Sequence, residues 1–157
     1  LDDGRLHRNF MGYTVMPASD QVGVGVTSIG DVAGAYVAND KKLRSFERRV
    51  GSGSLPVERG LLRTPEDELR RAVINRIICT LSLDFGWVES NFKVDPRKHL
   101  ALAMKDLEPM AADGLVEFNA NGLRVTATGR FFLRNLCMPF DAYLAAPGDG
   151  PVYSRTV

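Results

Sequence analysis

The sequence predicts a mostly α fold with a small β component (α+β): a hairpin left over from a larger sheet, then a helical, winged-helix-like module. Three observations predict it. Leu69, Val73, Ile77 and Leu81 recur at helical spacing behind the helix start Thr64-Pro65-Glu66-Asp67. Asn121-Gly122 stands between two short β-favouring runs, the mark of a tight hairpin. The remaining β-patterned residues lie near the start and are too few to make an independent sheet.

Taken in order, Leu6 to Thr14 mixes aromatic and β-favouring residues and reads as a strand. Met16-Pro17-Ala18-Ser19-Asp20 is a turn. Val22-Gly23-Val24-Gly25-Val26 follows, with valines on one strand face and glycines on the other. A bare glycine face needs an occupant, either another main chain or a flat ligand; the alternative is a bulged edge strand. Asn9–Val15 and Val22–Val26 are expected to pair. His7 and Arg8 read as a solvated strand end, the alternative being contact with a phosphate, carboxylate or cluster ligand.

Asn39 or Asp40 can cap a helix that places Leu43, Phe46 and Val50 on one face. Its run Lys41, Lys42, Arg44, Arg48 and Arg49 reads as a solvated face. Gly51-Ser52-Gly53-Ser54-Leu55-Pro56 ends it as a flexible link. Thr64 then caps a buried helix from Pro65 to about Leu83, with two acids favouring the positive end of its dipole. Asp95-Pro96 starts the next helix, with Leu100, Ala103, Met104, Leu107 and Met110 inward. Pro109 divides it and Gly114 stops it. His99, in the first turn, reads as a surface histidine and not a ligand. Leu115–Thr126 is a hairpin whose Asn121 and Gly122 tolerate positive φ. A last helix from about Ala127 carries Phe131, Leu136, Cys137, Phe140 and Leu144 as its apolar positions. The expected organisation is 1–38, the end of a larger sheet; 39–63, helix and linker; 64–146, the helical module; and 147–157, a tail.

The charge balance of 20 basic to 19 acidic residues argues against a strongly basic nucleic-acid binder. The candidate groove-reading helix has Arg97, Lys98 and Lys105 against Asp106, Glu108 and Asp113. No apolar run is long enough to span a membrane. Cys79 and Cys137 sit in apolar helical patterns and read as buried free thiols, which fits a cytoplasmic location. No Cys and His cluster suggests a metal site, and no phosphate-binding, paired-acid or Ser-His-Asp pattern appears.

Arg8-Asn9-Phe10-Met11-Gly12-Tyr13-Thr14, followed by Gly23-Val24-Gly25-Val26-Thr27-Ser28-Ile29, resembles one family closely. The likeness continues through Arg70-Arg71, Ile78-Cys79, Asp113-Gly114-Leu115-Val116, Arg134-Asn135, Cys137-Met138, Phe140-Asp141 and Tyr153-Ser154-Arg155. It is to the C-terminal part of bacterial oxygen-independent coproporphyrinogen III oxidase, a radical S-adenosylmethionine enzyme of haem biosynthesis. The resemblance implies a parent whose N-terminal (β/α) barrel holds a [4Fe–4S] cluster on three closely spaced cysteines and binds two S-adenosylmethionine molecules. It implies oxidative decarboxylation of two propionates of coproporphyrinogen III to vinyl groups by a 5′-deoxyadenosyl radical. The hairpin then becomes a remnant of the truncated barrel, and the barrel of the same protein a partner. A monomeric parent is expected, with no nucleic acid or membrane partner.

The cluster cysteines are not in this chain. No catalytic or metal-ligating residue is therefore assigned here, and the chain alone is expected to be inactive and to bind no cofactor. The resemblance places Ile29 against the second S-adenosylmethionine and Met11 where a Gln is common. Val15 replaces a common Thr, and Ala38 the Gln of a Gln-Asn pair. The alternative is a winged-helix module that binds nucleic acid or protein without catalysis.

Overall fold

The computed structural model describes residues 5–16 and 18–145. It is an α+β arrangement of three small antiparallel sheets and a helical layer. The expected motif Tyr153-Ser154-Arg155 and the tail 147–157 lie outside the described residues.

Leu6 to Thr14 is a hairpin of its own, not one strand. β1 (His7–Asn9) pairs with β2 (Gly12–Thr14), and Asn9 Oδ1 accepts from Met11 N at 2.8 Å across the turn. The expected pairing of Asn9–Val15 with Val22–Val26 is therefore overturned. Val22–Val26 is not a strand. Gly25 has φ +99° and Thr27 φ +61°, and these reverse the chain. A Cβ at Gly23 would stand 2.6 Å from the Ile29 carbonyl oxygen. Another main chain is thus what lies against that glycine.

The loop leads into β3 (Ile29–Val32), which pairs with β4 (Ala35–Asn39). α1 (Leu43–Gly51) follows, ending where Gly53 takes φ +76°. It buries no residue, and Leu43 and Val50 stay exposed. The Gly/Ser stretch then returns the chain to β5 (Val57–Leu62), which completes the sheet order β3-β4-β5. The expected linker 39–63 therefore contains a strand bonded to β4. The alternation that marks a one-sided strand is missing from Val-Glu-Arg-Gly-Leu-Leu, and it is exposed along most of its length.

α2 (Pro65–Thr80) begins as the sequence predicts. Thr64 Oγ1 accepts from Asp67 N at 3.2 Å, and Asp67 Oδ2 accepts from Thr64 N at 2.8 Å. It stops short of Leu83 because Leu81 turns left-handed at φ +58° and 82–84 leave as β6 (Ser82–Asp84). α3 (Phe85–Phe92), capped by Asp84, was not predicted. α4 (Pro96–His99), α5 (Ala101–Asp106) and α6 (Glu108–Ala112) follow, the last starting at the expected Pro109 break and ending at Gly114, φ +72°.

β7 (Val116–Asn119) and β8 (Gly122–Val125) form the expected hairpin, and β6 joins it to give the order β6-β8-β7. Gly122, not Asn121, carries the positive φ, +151°. A Cβ there would come within 1.8 Å of the Leu83 carbonyl oxygen, so β6 can approach β8 only over a glycine. The expected last helix is broken up: a 3₁₀ turn over Gly129–Phe132, α7 (Leu133–Cys137), a second 3₁₀ turn over Met138–Phe140, and α8 (Ala142–Ala145). Phe131 is 88% exposed, contrary to its expected inward place, and Leu144 is also exposed.

The core is apolar and gathers on α2. Leu69, Val73, Ile77 and Ile78 pack with Val88, Leu100, Leu107, Val116, Leu136 and Phe140. Cys79 and Cys137 are buried free thiols, and burial pushes the Cys137 thiol up to about 12.

Candidate functional site: a cleft clasped by arginines

A cleft of about 490 Å³ runs between the β1–β2 hairpin, the β3-β4-β5 sheet and α2. It continues into a lobe of about 340 Å³ through the shared residues Arg8, Asn9, Gln21, Asp31, Arg71 and Asn75. Both volumes suit a small organic ligand.

Asp31 anchors it. β3 projects this residue between the sheet and α2, where it is buried. Its Oδ1 accepts from Arg63 Nη1 at 2.5 Å, and its Oδ2 accepts from Arg71 Nη2. Arg63, the residue before the α2 cap, also donates from Nε to Glu68 Oε1 at 2.5 Å. Burial alone would lower the pKa of Arg63, but its bonds to Glu68 and Asp31 outweigh that and hold it above the ordinary arginine value.

Tyr36 of β4 covers the clasp. Its ring lies 4.6 Å from the Arg63 guanidinium carbon and meets Phe10 edge-on at 5.5 Å. Burial pushes the Tyr36 phenol up, while the charges of Arg71 and Arg63 pull the other way. Two arginines and two carboxylates thus make a neutral, satisfied network across the seam between the sheet and the helical module.

Beyond the clasp, Glu66 accepts from Arg70 Nε at 2.6 Å and meets His99 Nε2 at 2.6 Å. Arg70 Nη1 donates to the Phe140 carbonyl at 3.1 Å, tying the start of α2 to the second 3₁₀ turn. His99 is on the surface, as expected, but holds this acidic partner.

The two residues assigned from the resemblance do not line the cleft. Met11 occupies the hairpin turn and is 86% exposed. Ile29 opens β3, opposite Ala38, and is 45% exposed. Among the described residues no three His, Cys, Asp or Glu side chains stand close enough to hold a metal ion. Two buried, protonated thiols do not fit an iron–sulfur cluster, which needs grouped thiolates.

Asp31, Tyr36, Arg63 and Arg71 were missed. The available signal was the Arg63 that precedes the capping box, together with Arg71 one helical turn beyond Asp67. Their partner Asp31 lies 32 residues before Arg63, and no sequence spacing connects them.

The fold and cleft define a small α+β module. Residues 64–132 match the HemN C-terminal domain. The chain is 41% identical over 157 residues to the oxygen-independent coproporphyrinogen III oxidase of Helicobacter pylori, covering 100% of this chain and 34% of that protein. It is 40% identical over 143 residues to the enzyme of the same name from Pseudomonas aeruginosa, covering 91% of this chain and 31% of that one. A solved structure, the coproporphyrinogen III oxidase (HemN) of Escherichia coli, a radical SAM enzyme, superposes with a TM-score of 0.86 at 38% identity, over 90% of this chain and 32% of that one. The resemblance to the C-terminal part of this family stands. The chain spans about a third of the length of these relatives.

Proposed function

We propose that this chain is the C-terminal part of an oxygen-independent coproporphyrinogen III oxidase and helps to cover that enzyme's active site. The parent would oxidatively decarboxylate two propionates of coproporphyrinogen III, using S-adenosylmethionine and a [4Fe–4S] cluster held by the barrel. The observation that carries this reading is the Asp31 clasp. It fixes the helical module to a small sheet whose outer surface is left open. Leu62 of β5 is 78% exposed and Val24 in the preceding loop 90%; β5 is an edge strand, and β3 is paired on its outer side only by Gln21 at Asp31. Edge strands beside exposed apolar side chains call for cover by further chain. That supports the sheet as the end of the parent's barrel. The order α2, β6, α3 to α6 and then the β7–β8 hairpin, with β6 bonded to β8, supports a winged-helix-like reading of the rest. A nucleic-acid role draws no support from Arg97, which donates to the Ala120 carbonyl and lies 5.2 Å from the Phe85 ring centre.

The test is Ile29→Ala in the complete protein. A cofactor contact at Ile29 predicts loss of most turnover with iron content and melting temperature kept. A parallel fall in stability and iron would assign Ile29 to structure, and full activity would remove it from the cofactor site. The chain alone is expected to show no turnover and no cluster after anaerobic reconstitution. A cluster absorption band surviving Cys79→Ser with Cys137→Ser would overturn that expectation.

A further inference from the structure

The second lobe of the cleft is unlike the first. Among the described residues, Asp31 is the only acidic one lining it, and both its carboxylate oxygens are engaged by Arg63 and Arg71. Two further arginines face the same lobe without an acidic partner among the described residues. Arg8 comes from β1, and its guanidinium lies 5.9 Å from the Tyr13 ring centre. Arg76 comes from α2 and is held over the Trp87 ring at 4.9 Å. Its Nε is buried with no hydrogen-bond partner. A buried donor left unpaired is costly, and native proteins rarely leave one without a use.

The contact with Trp87 holds the Arg76 guanidinium in place beside the lobe, and a guanidinium fork suits a planar, two-oxygen acceptor. Asn75, one residue earlier on α2, adds an amide to the same wall. The lining is partly apolar, with Leu6, Met16 and Trp87 among its residues. The site therefore combines surplus positive charge, a spare buried donor and a greasy surface. An inorganic anion would use the first two and leave the third wet.

We propose that this lobe binds an organic carboxylate, with the carboxylate on Arg8 and Arg76 and the apolar body against Leu6, Met16 and Trp87. The ligand class rests on the lobe alone. Only the choice of probe rests on the reading of the parent as a coproporphyrinogen oxidase, whose substrate carries several propionates.

The experiment uses the complete protein and follows fluorescence on titration with coproporphyrin III, its uncharged tetramethyl ester, and inorganic phosphate as competitor. Arg8→Gln and Arg76→Gln are each expected to weaken coproporphyrin III binding about tenfold or more, the scale of one charge-assisted bond. The ester should bind without dependence on either arginine, and millimolar phosphate should not displace the acid. Arg8 sits on an exposed hairpin, so its variant stays informative if Arg76→Gln fails to fold.

Affinity unchanged in Arg8→Gln, ester binding as tight and as arginine-dependent as the acid, or displacement by phosphate would each overturn the proposal. Turnover of coproporphyrinogen III by the unaltered protein reports separately on the parent's activity. No turnover with arginine-dependent carboxylate binding retained would sink the enzymatic reading and leave the lobe. Normal turnover with arginine-independent binding would do the reverse.

Discussion

Among the described residues, every buried apolar side chain lies between Leu69 and Phe140, while the buried polar ones, Asp31, Asn39 and Asp40, all belong to the sheet region before α1. The helical module is held by apolar contact around α2. The sheet is held by directed bonds. Asn39 Nδ2 donates to the Gly25 carbonyl at 2.9 Å, Asp40 meets Arg49 at 3.5 Å, and Asp31 takes both clasp arginines. The contrast teaches that the two regions fail differently. An apolar core is non-directional and tolerates small shifts, whereas a bonded seam loses its geometry when one partner goes.

The harshest way to break the contrast is to put a charge in the core. Ile77 is 1% exposed, so Ile77→Asp should cost more than about 4 kcal/mol and unfold the module. Circular dichroism melting checks it, and an unchanged melt would mean that α2 presents another face to the core.

Next comes the clasp. Asp31→Ala leaves Arg63, whose side chain is 6% exposed, with Glu68 alone, and should cost about 3 kcal/mol, the lower end for a broken buried pair. Hydrogen exchange should speed in β3 and β4 while the amides of α2 around Val73 and Ile77 stay protected. Uniform acceleration across both regions would show that they unfold as one.

Thr64→Ala sits where the regions join. Loss of the reciprocal cap should cost about 1 kcal/mol, read as a modest fall in the denaturant midpoint.

The smallest effect is on pH dependence. Burial acts to raise the Glu66 pKa, but bonds from His99 and Arg70 prevail and hold it below the ordinary value of 4.5. A folded pKa below the unfolded one gives stability that is present above pH 4.5 and lost as pH falls through the folded pKa. Glu66→Gln should therefore lower stability modestly at neutral pH and flatten the acid limb of a stability–pH curve, the two curves converging at low pH. Both curves falling together below pH 4.5 would assign acid loss to other carboxylates, of which Asp67 is first, held low by its bonds to Thr64.

The same contrast governs what could be read from the chain. α2, its cap, the Pro109 break and the β7–β8 hairpin were legible because each follows from residues within a few positions of one another. The β3-β4-β5 sheet was not. β5 is exposed without alternation, and the Val/Gly run imitates a strand while two positive φ values turn it into a loop. Arg8 was legible as a chemical option, contact with a carboxylate or phosphate, but not as one wall of a lobe. That needed Arg76 and Trp87 brought beside it by α2 and α3. Met11 and Ile29 came from resemblance alone, and the cleft is built from other side chains.

The clasp has a consequence for the molecule's response to cold. Exposing apolar surface raises the heat capacity of unfolding, and exposing polar groups lowers it. The helical module, with its apolar core, should have a strongly curved stability profile that sags on cooling. The sheet, held by carboxylates, amides and guanidinium groups, should have a flatter one. The seam at Asp31 joins two bodies with different temperature optima, so cooling shifts the balance of stability from the core toward the sheet.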